Sequence, residues 1–249
     1  MKSNNGIVAF LDILGYQNFI DRNDVSVAVA ILNDAFANLK ELVAEDFKTN
    51  WTKVTNNAGL FFDKLIIQTL SDSIILHLPV EDDDPTALAF SWATILQCVR
   101  VLQRRLFDRG FPSRGAISVG EYYFAEGFLV GKPFMEAYRL SQSLDLAATA
   151  LTPAAYTQAN DAYSKIYKGL SHYKGGAFYL TPLKGKEESY FLLSPLRPEE
   201  TASLLQKDLA QWVHQVFWMH EKEAGISVDL KIANTVKFFR FCIIKHGKQ

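Results

Sequence analysis

Residues 8–19 read VAFLDILGYQNF, and this stretch decides how the chain is built. Four largely apolar residues lead into Asp12, and Ile13, Leu14 and Gly15 follow. With Gly6 and Ile7 ahead of it, Gly6–Leu14 is short, apolar and closed by a glycine, which is the pattern of a buried strand. A carboxylate in so apolar a run is expensive to bury without a partner. Two readings offset that expense. Asp12 caps the segment that follows, or it sits at a strand end and ligates a divalent metal ion. The rest of the chain has to decide between them.

Composition narrows the classes. The chain has 249 residues, of which 49% are hydrophobic and 21% charged, the ordinary make-up of a globular enzyme. A net charge of −1 and a pI near 6.5 argue against a bulk electrostatic grip on nucleic acid or acidic lipid. The two cysteines, Cys98 and Cys242, lie in apolar helical patterns, so buried reduced thiols are expected rather than a bridge. The opening MKSNN makes a poor signal peptide, and no window approaches 18 uninterrupted apolar residues. No membrane partner and a cytoplasmic location are therefore expected.

Downstream of the first strand, the spacing of Val27, Ile31, Leu32, Phe36, Leu39 and Val43 predicts one helix over 23–47, with Asp24 as its N-cap. Residues 48–62 read as a loop. Residues 64–80, KLIIQTLSDSIILHLPV, predict a hairpin, with arms Leu65–Leu70 and Ser73–Leu78 flanking Ser71–Asp72. The acidic run 81–84 reads as a turn capping a long amphipathic helix, Thr86–Arg109, closed by Gly110. Its arginines Arg104, Arg105 and Arg109 read as surface residues. Ser113–Phe124 predicts a strand with a hairpin partner at 125–130, Gly131–Leu146 a helix, 148–151 a short strand and Pro153–Tyr163 a short helix. Residues 164–196 hold one or two strands, and Thr201–Glu223 and Val228–Lys245 are closing helices. The order predicts an α+β fold with helices on one main, mostly antiparallel sheet. Its core spans 1–155, with 156–249 packed on the same domain.

Two acids then stand out: Asp12 at the end of the first strand and Asp72 at the hairpin tip. If those strands are neighbours, the carboxylates converge. Two hard oxygen ligands, with a backbone carbonyl such as that of Ile13, make a site for Mg²⁺ or Mn²⁺ that leaves room for phosphates and water. Gly15 allows close backbone approach, and the N–H groups of the turn Leu14–Tyr16 are placed to cradle phosphate oxygens.

Four stretches resemble one family in its own order. FLDILGYQNF is similar to the first metal-binding motif of class III nucleotidyl cyclases, and QTLSDSI at 68–74 to their second, where a metal aspartate follows a small residue. RGAISVG at 114–120 resembles their arginine- and glycine-bearing strand, with shifts in its glycine and isoleucine. GKPFMEAYRL at 131–140 resembles their helix ending in arginine-leucine. The resemblance covers roughly residues 6–155. It implies the ferredoxin-like sandwich of that family and two divalent ions held by Asp12, Asp72 and the Ile13 carbonyl. It places Arg139 where the family's arginine meets the α-phosphate as the ribose 3′ oxygen attacks. It also implies a homodimer with shared active sites, metals from one subunit and base readers and arginine from the other.

The departures from the family point to the base. Met135 stands four residues before Arg139, where the family usually carries an asparagine. Gln68 occupies a base-reading position four residues before Asp72, and Phe128 the other, eleven before Arg139. An amide both donates and accepts, and an aromatic ring narrows the pocket and offers a stacking face. That pair suits a pyrimidine. The wording of these motifs is similar to the short bacterial cyclases of Pycsar antiphage systems, whose cyclic UMP or cyclic CMP activates a separate effector. UTP is the expected substrate, with CTP the alternative, and a degenerate domain that binds nucleotide without turnover is the contrasting reading. Gly15, Tyr16 and Arg114 complete the expected substrate contacts, although an ion pair explains Arg114 equally well.

Overall fold

The computed structural model describes residues 3–50, 58–80, 84–166, 169–170, 173, 175–196, 208–222 and 226–247. Its centre is strand β1 (Asn4–Ile13), whose last eight residues are all buried. The reason is two-sided cover. Ile7, Ala9, Leu11 and Ile13 belong to the large core under the long helix α5 (Pro85–Asp108). Phe10 instead packs with Ala116 and with Ala137 of helix α6 (Lys132–Ser143). A strand covered on both faces reads as a continuous apolar run, which is what residues 7–11 are.

β2 (Ile66–Leu70) and β3 (Ser73–Pro79) form the predicted hairpin. Its tip carries Ser71 at φ +55°, a left-handed conformation that a tight turn requires. β4 (Ser113–Ala125) pairs with β5 (Phe128–Gly131), again as predicted. β6 (Thr149–Leu151), β7 (Gly176–Leu183) and β8 (Lys186–Leu193) complete one mixed sheet in the order β2-β3-β1-β4-β6-β8-β7, with β5 beside β4. Among the described strands only β4–β6 is parallel, and the α6 crossover joins those two strands. The α+β class and the mainly antiparallel sheet thus stand as expected.

The N-terminal helical region departs from the expected single helix. It is split into α1 (Tyr16–Ile20), α2 (Val25–Phe36) and α3 (Leu39–Asn50). The break falls at Ala37–Asn38, where Asn38 takes φ +52°. Asp24 stands at the N-cap of α2 but makes no side-chain capping bond. The expected loop at 48–62 is partly helical, since α4 covers Ala58–Lys64, and residues 51–57 lie outside those described. Asp84 does cap α5, accepting from the Thr86 and Ala87 amides at 2.8 and 3.2 Å.

Helix α5 is amphipathic only towards its C-terminal end. Residues 89–99 are buried on every side. The sheet lies on one side, and α2, α3, α4 and α7 (Pro153–Ile166) pack on the others. This helix is long and apolar enough to cross a membrane by length and composition, and burial in the core explains that character. Its arginines are tethered: Arg105 donates to the Ala35 and Ala37 carbonyls, and Arg109 pairs with Asp34. The C-terminal helices α8 (Leu209–Trp218) and α9 (Ile226–Gly247) form a second core with Leu14, Phe107, Leu144 and Leu192. Both cysteines are buried and free.

Candidate active site

Asp12 sits one residue before the end of β1, with Ser73 of β3 opposite it on one side and Arg114 of β4 on the other. The sheet therefore delivers three sequence-singled stretches to one edge of its central strands. Asp72 lies beside this edge: the Ile13 amide donates to the Asp72 carbonyl at 2.9 Å. The hairpin tip is thereby fixed against the end of β1, and Asp12, Ile13, Asp72 and Arg114 come together.

The register also places Gln68. Residues directly opposite in a sheet share a face, and along each strand every second residue returns to it. Gln68, Ile75, Phe10 and Ala116 form one cross-strand row, and Leu70, Ser73, Asp12 and Arg114 form the next row on the same face. Half-buried Gln68 thus looks out from the face that carries Asp12. Helix α6 lies chiefly over the β1–β4 part of this face, with Phe134 and Tyr138 edge-on to Phe10 at 5.9 and 5.3 Å. Towards the hairpin tip the cover thins: Leu70 is 74% exposed, whereas His77, further along β3 on this face, is fully buried.

Asp12 is buried and ion-paired. Its Oδ2 accepts from Arg114 Nε at 2.9 Å and from Gln142 Nε2 at 3.1 Å. Arg114 extends the network to the C-terminal end of α6, donating to the Gln142 and Leu144 carbonyls at 3.1 and 3.3 Å and to Gln142 Oε1. A guanidinium suits this position because its rigid fork serves several acceptors at once. The partner that offsets the burial of Asp12 is therefore Arg114, 102 residues away. Oδ1 accepts no hydrogen bond among the described residues.

That free oxygen decides whether a metal fits. No group of three or more His, Cys, Asp or Glu gathers among the described residues. Asp12 Oδ1, the Asp72 carboxylate and the Ile13 carbonyl are hard oxygens carried by adjoining backbone at the end of β1 and the hairpin tip. This donor set fits Mg²⁺ or Mn²⁺, which complete their shells with water and phosphate.

The other singled residues stand apart from this cluster within one chain. Phe128 is 68% exposed at the start of β5, and Met135 and Arg139 lie on the exposed side of α6. Arg139 makes no ion pair among the described residues. Gly15 is exposed at φ +75°, and Tyr16 stacks on Phe19 and meets Phe111 edge-on.

Two residues at this end carried no signal strong enough to single them out. Gln142 lies three residues beyond Arg139, on the same motif helix, and that position is the one clue to it. Lys222 comes from the C-terminal region and donates to the Gly110 carbonyl. Burial pushes its ammonium down to about 8. Lys231 of α9 lies 3.7 Å from Asp145, and its pKa falls because desolvation outweighs that attraction.

No family model matches the sequence, and no curated protein matches it. Solved structures do. The non-canonical dimeric guanylyl cyclase domain of the RhoGC fusion protein from the aquatic fungus Blastocladiella emersonii is 13% identical, with a TM-score of 0.46 over 78% of this chain and 96% of that one. The guanylate cyclase domain of RhGC from Catenaria anguillulae, in complex with GTP, is 12% identical, with a TM-score of 0.46 over 78% of this chain and 98% of that one. An adenylate/guanylate cyclase/hydrolase from Silicibacter pomeroyi is 14% identical, with a TM-score of 0.44 over 78% and 99%.

Proposed function

We propose that this chain is a nucleotidyl cyclase that converts UTP to cyclic UMP and diphosphate. It works as a homodimer with shared sites, and its product signals to a separate effector in antiphage defence. The observation that carries the reading is the juxtaposition of the two motif stretches: Asp12 stands one residue before the end of β1, and the Asp72 carbonyl accepts from the amide of the next residue, Ile13.

The roles follow from placement. Asp12, Asp72 and the Ile13 carbonyl would hold divalent ions, two in the resembled family, which neutralise phosphate charge when bound. Arg114 holds the Asp12 carboxylate in place, since its own donors are committed to protein acceptors. Arg139, exposed and unpaired among the described residues, is free to meet the α-phosphate in a partner's site. Gln68 would read the base edge and Phe128 would stack on the ring. The Gln68 amide can turn either way, so CTP is the alternative substrate.

A second reading is a domain that binds nucleotide without turnover. The Arg114–Asp12 ion pair and Met135 favour it. One experiment separates the readings: incubate the protein with Mn²⁺ and each ribonucleoside triphosphate, and identify products by mass. Cyclic UMP supports the proposal. Nucleotide binding without product from a folded protein sinks it in favour of the second reading.

A further inference from the structure

Helix α9 has one face turned inward and one turned outward. Inward, Ile232, Val236, Phe238, Phe239 and Cys242 enter the second core. The same side holds the loop that follows α6. Asn234 Nδ2 donates to the Asp145 carbonyl at 3.0 Å, and Thr235 Oγ1 accepts from the Ala147 amide at 2.9 Å.

Outward stand Ile226, Leu230, Ala233, Lys237, Phe241 and Ile244, each three or four residues from the next. That spacing puts them in one stripe, about 27 Å long at 1.5 Å per residue. Ile226 is 92% exposed, Leu230 51% and Ile244 50%. The outward side of a surface helix is ordinarily polar. Here the stripe is apolar except for Lys237, which marks a face that meets a partner.

The charges beside the stripe say which partner. Asp229 and Arg240 are exposed on one flank, and neither is ion-paired among the described residues. Leu230 and Phe241 lie towards the other flank. When a second copy of the helix is laid antiparallel on the first, about a two-fold axis level with Thr235, residues of the same flank meet. Ile226 then comes opposite the partner's Ile244, and Leu230 opposite the partner's Phe241. Asp229 comes opposite the partner's Arg240, and symmetry makes that contact twice. Ala233 comes opposite the partner's Lys237, whose stem covers the small side chain while its ammonium reaches water. A parallel pairing would instead set Lys237 against its own copy in the seam. The face is thus complementary to itself in one orientation, in both apolar contact and charge.

We propose that the outward face of α9 is a self-association surface, through which two copies of this chain pair antiparallel. The helix packs on β7, at the opposite end of the sheet from the hairpin that carries Asp72. This interface is therefore separate from the shared-site pairing and does not depend on turnover. Where both form, the chain builds assemblies of more than two copies. Because its inward face holds the loop after α6, one helix joins the association surface to the helix that carries Arg139.

The test is sedimentation of the full chain, wild type beside Leu230→Glu. One helix pair of this length buries less than a standard interface, so a Kd of about 1–50 μM is expected. Wild type should have about twice the mass of Leu230→Glu well above that concentration and the same mass well below it. The comparison cancels association through any other face. Leu230→Glu should weaken pairing at least about tenfold. Charge exchange tests the register. Asp229→Arg alone and Arg240→Asp alone each set like charges together across the two-fold axis and should weaken pairing about tenfold. An equimolar mixture of the two variants should regain it, and that recovery also excludes misfolding as the cause of the loss. Equal mass in wild type and Leu230→Glu at every concentration overturns the proposal. So does pairing that neither charge variant weakens, or a mixture that does not recover. Binding of the wild type to phosphatidylserine vesicles without self-association, lost in Leu230→Glu, assigns the stripe to a lipid surface and likewise overturns it.

Discussion

Arg114 and Asp12 face each other across β1 and β4 with Nε and Oδ2 2.9 Å apart, and both residues are less than a tenth exposed. The pair is more than a surface contact, because Gln142 and the α6 carbonyls close the network around it. Removing one member of a buried pair leaves the other charge without compensation. Arg114→Ala should therefore destabilise the fold by about 3 kcal/mol. Denaturant titration measures this, and a loss below about 1 kcal/mol would show that water already serves Asp12.

Asp72 is different in kind. It lies at a hairpin tip and is only half-buried. Asp72→Ala should leave stability within about 1 kcal/mol of wild type. The same change should abolish product if the carboxylate is a metal ligand. Retained turnover in this variant would remove Asp72 from the metal site.

Gly115 follows Arg114 and has a packing reason to be glycine. A Cβ there would lie 2.4 Å from Leu11 Cδ2, 2.7 Å from the Phe10 carbonyl and 2.8 Å from Thr149 Oγ1. Two of these neighbours are held in the sheet and cannot yield cheaply. Gly115→Ala should cost about 2–3 kcal/mol by overpacking and shift Arg114 from Asp12. Thermal unfolding checks the first effect, and lowered turnover in the still-folded variant checks the second.

His77 makes stability depend on acid. It is fully buried on β3, with Nδ1 3.3 Å from Tyr122 Oη and no partner for Nε2 among the described residues. Burial lowers its pKa to about 4 from 6.5. Between those values the unfolded chain binds the proton and the folded chain does not. Stability is therefore complete above about pH 6.5 and is lost as pH falls towards 4. The loss should approach 2–3 kcal/mol, the order expected for a shift of this size. Comparing His77→Gln with wild type across this window isolates the effect, since the variant should lose less stability than wild type over the same range.

Local patterns carried much of the fold. Apolar runs marked β1 and β4, polar turn residues marked the 71–72 tip, and the paired arms followed. The expected loop at 48–62 and the expected helix at 23–47 missed for a physical reason. The apolar spacing from Val27 to Val43 runs through Asn38, and an asparagine at a left-handed helix end is a weaker mark than a glycine would be. The all-round burial of α5 was likewise illegible, because it depends on which helices pack against it. At the site, the aspartates were visible as anomalies in apolar strands. Arg114 was visible as a motif arginine, but its partner was not, since it lies 102 residues from Asp12; Gln142, 130 residues from Asp12, and Lys222, 112 from Gly110, carried no such mark. Only the sheet order and the packing of the C-terminal region bring these groups together.

The most direct test of the central claim is the mass of the product formed from UTP and Mn²⁺ by the wild type, with Asp12→Ala and Asp72→Ala alongside. The account predicts cyclic UMP and diphosphate from the wild type and neither from the two variants. Absence of any cyclic product from all four triphosphates, with the protein folded, would contradict it, as would undiminished turnover in either variant.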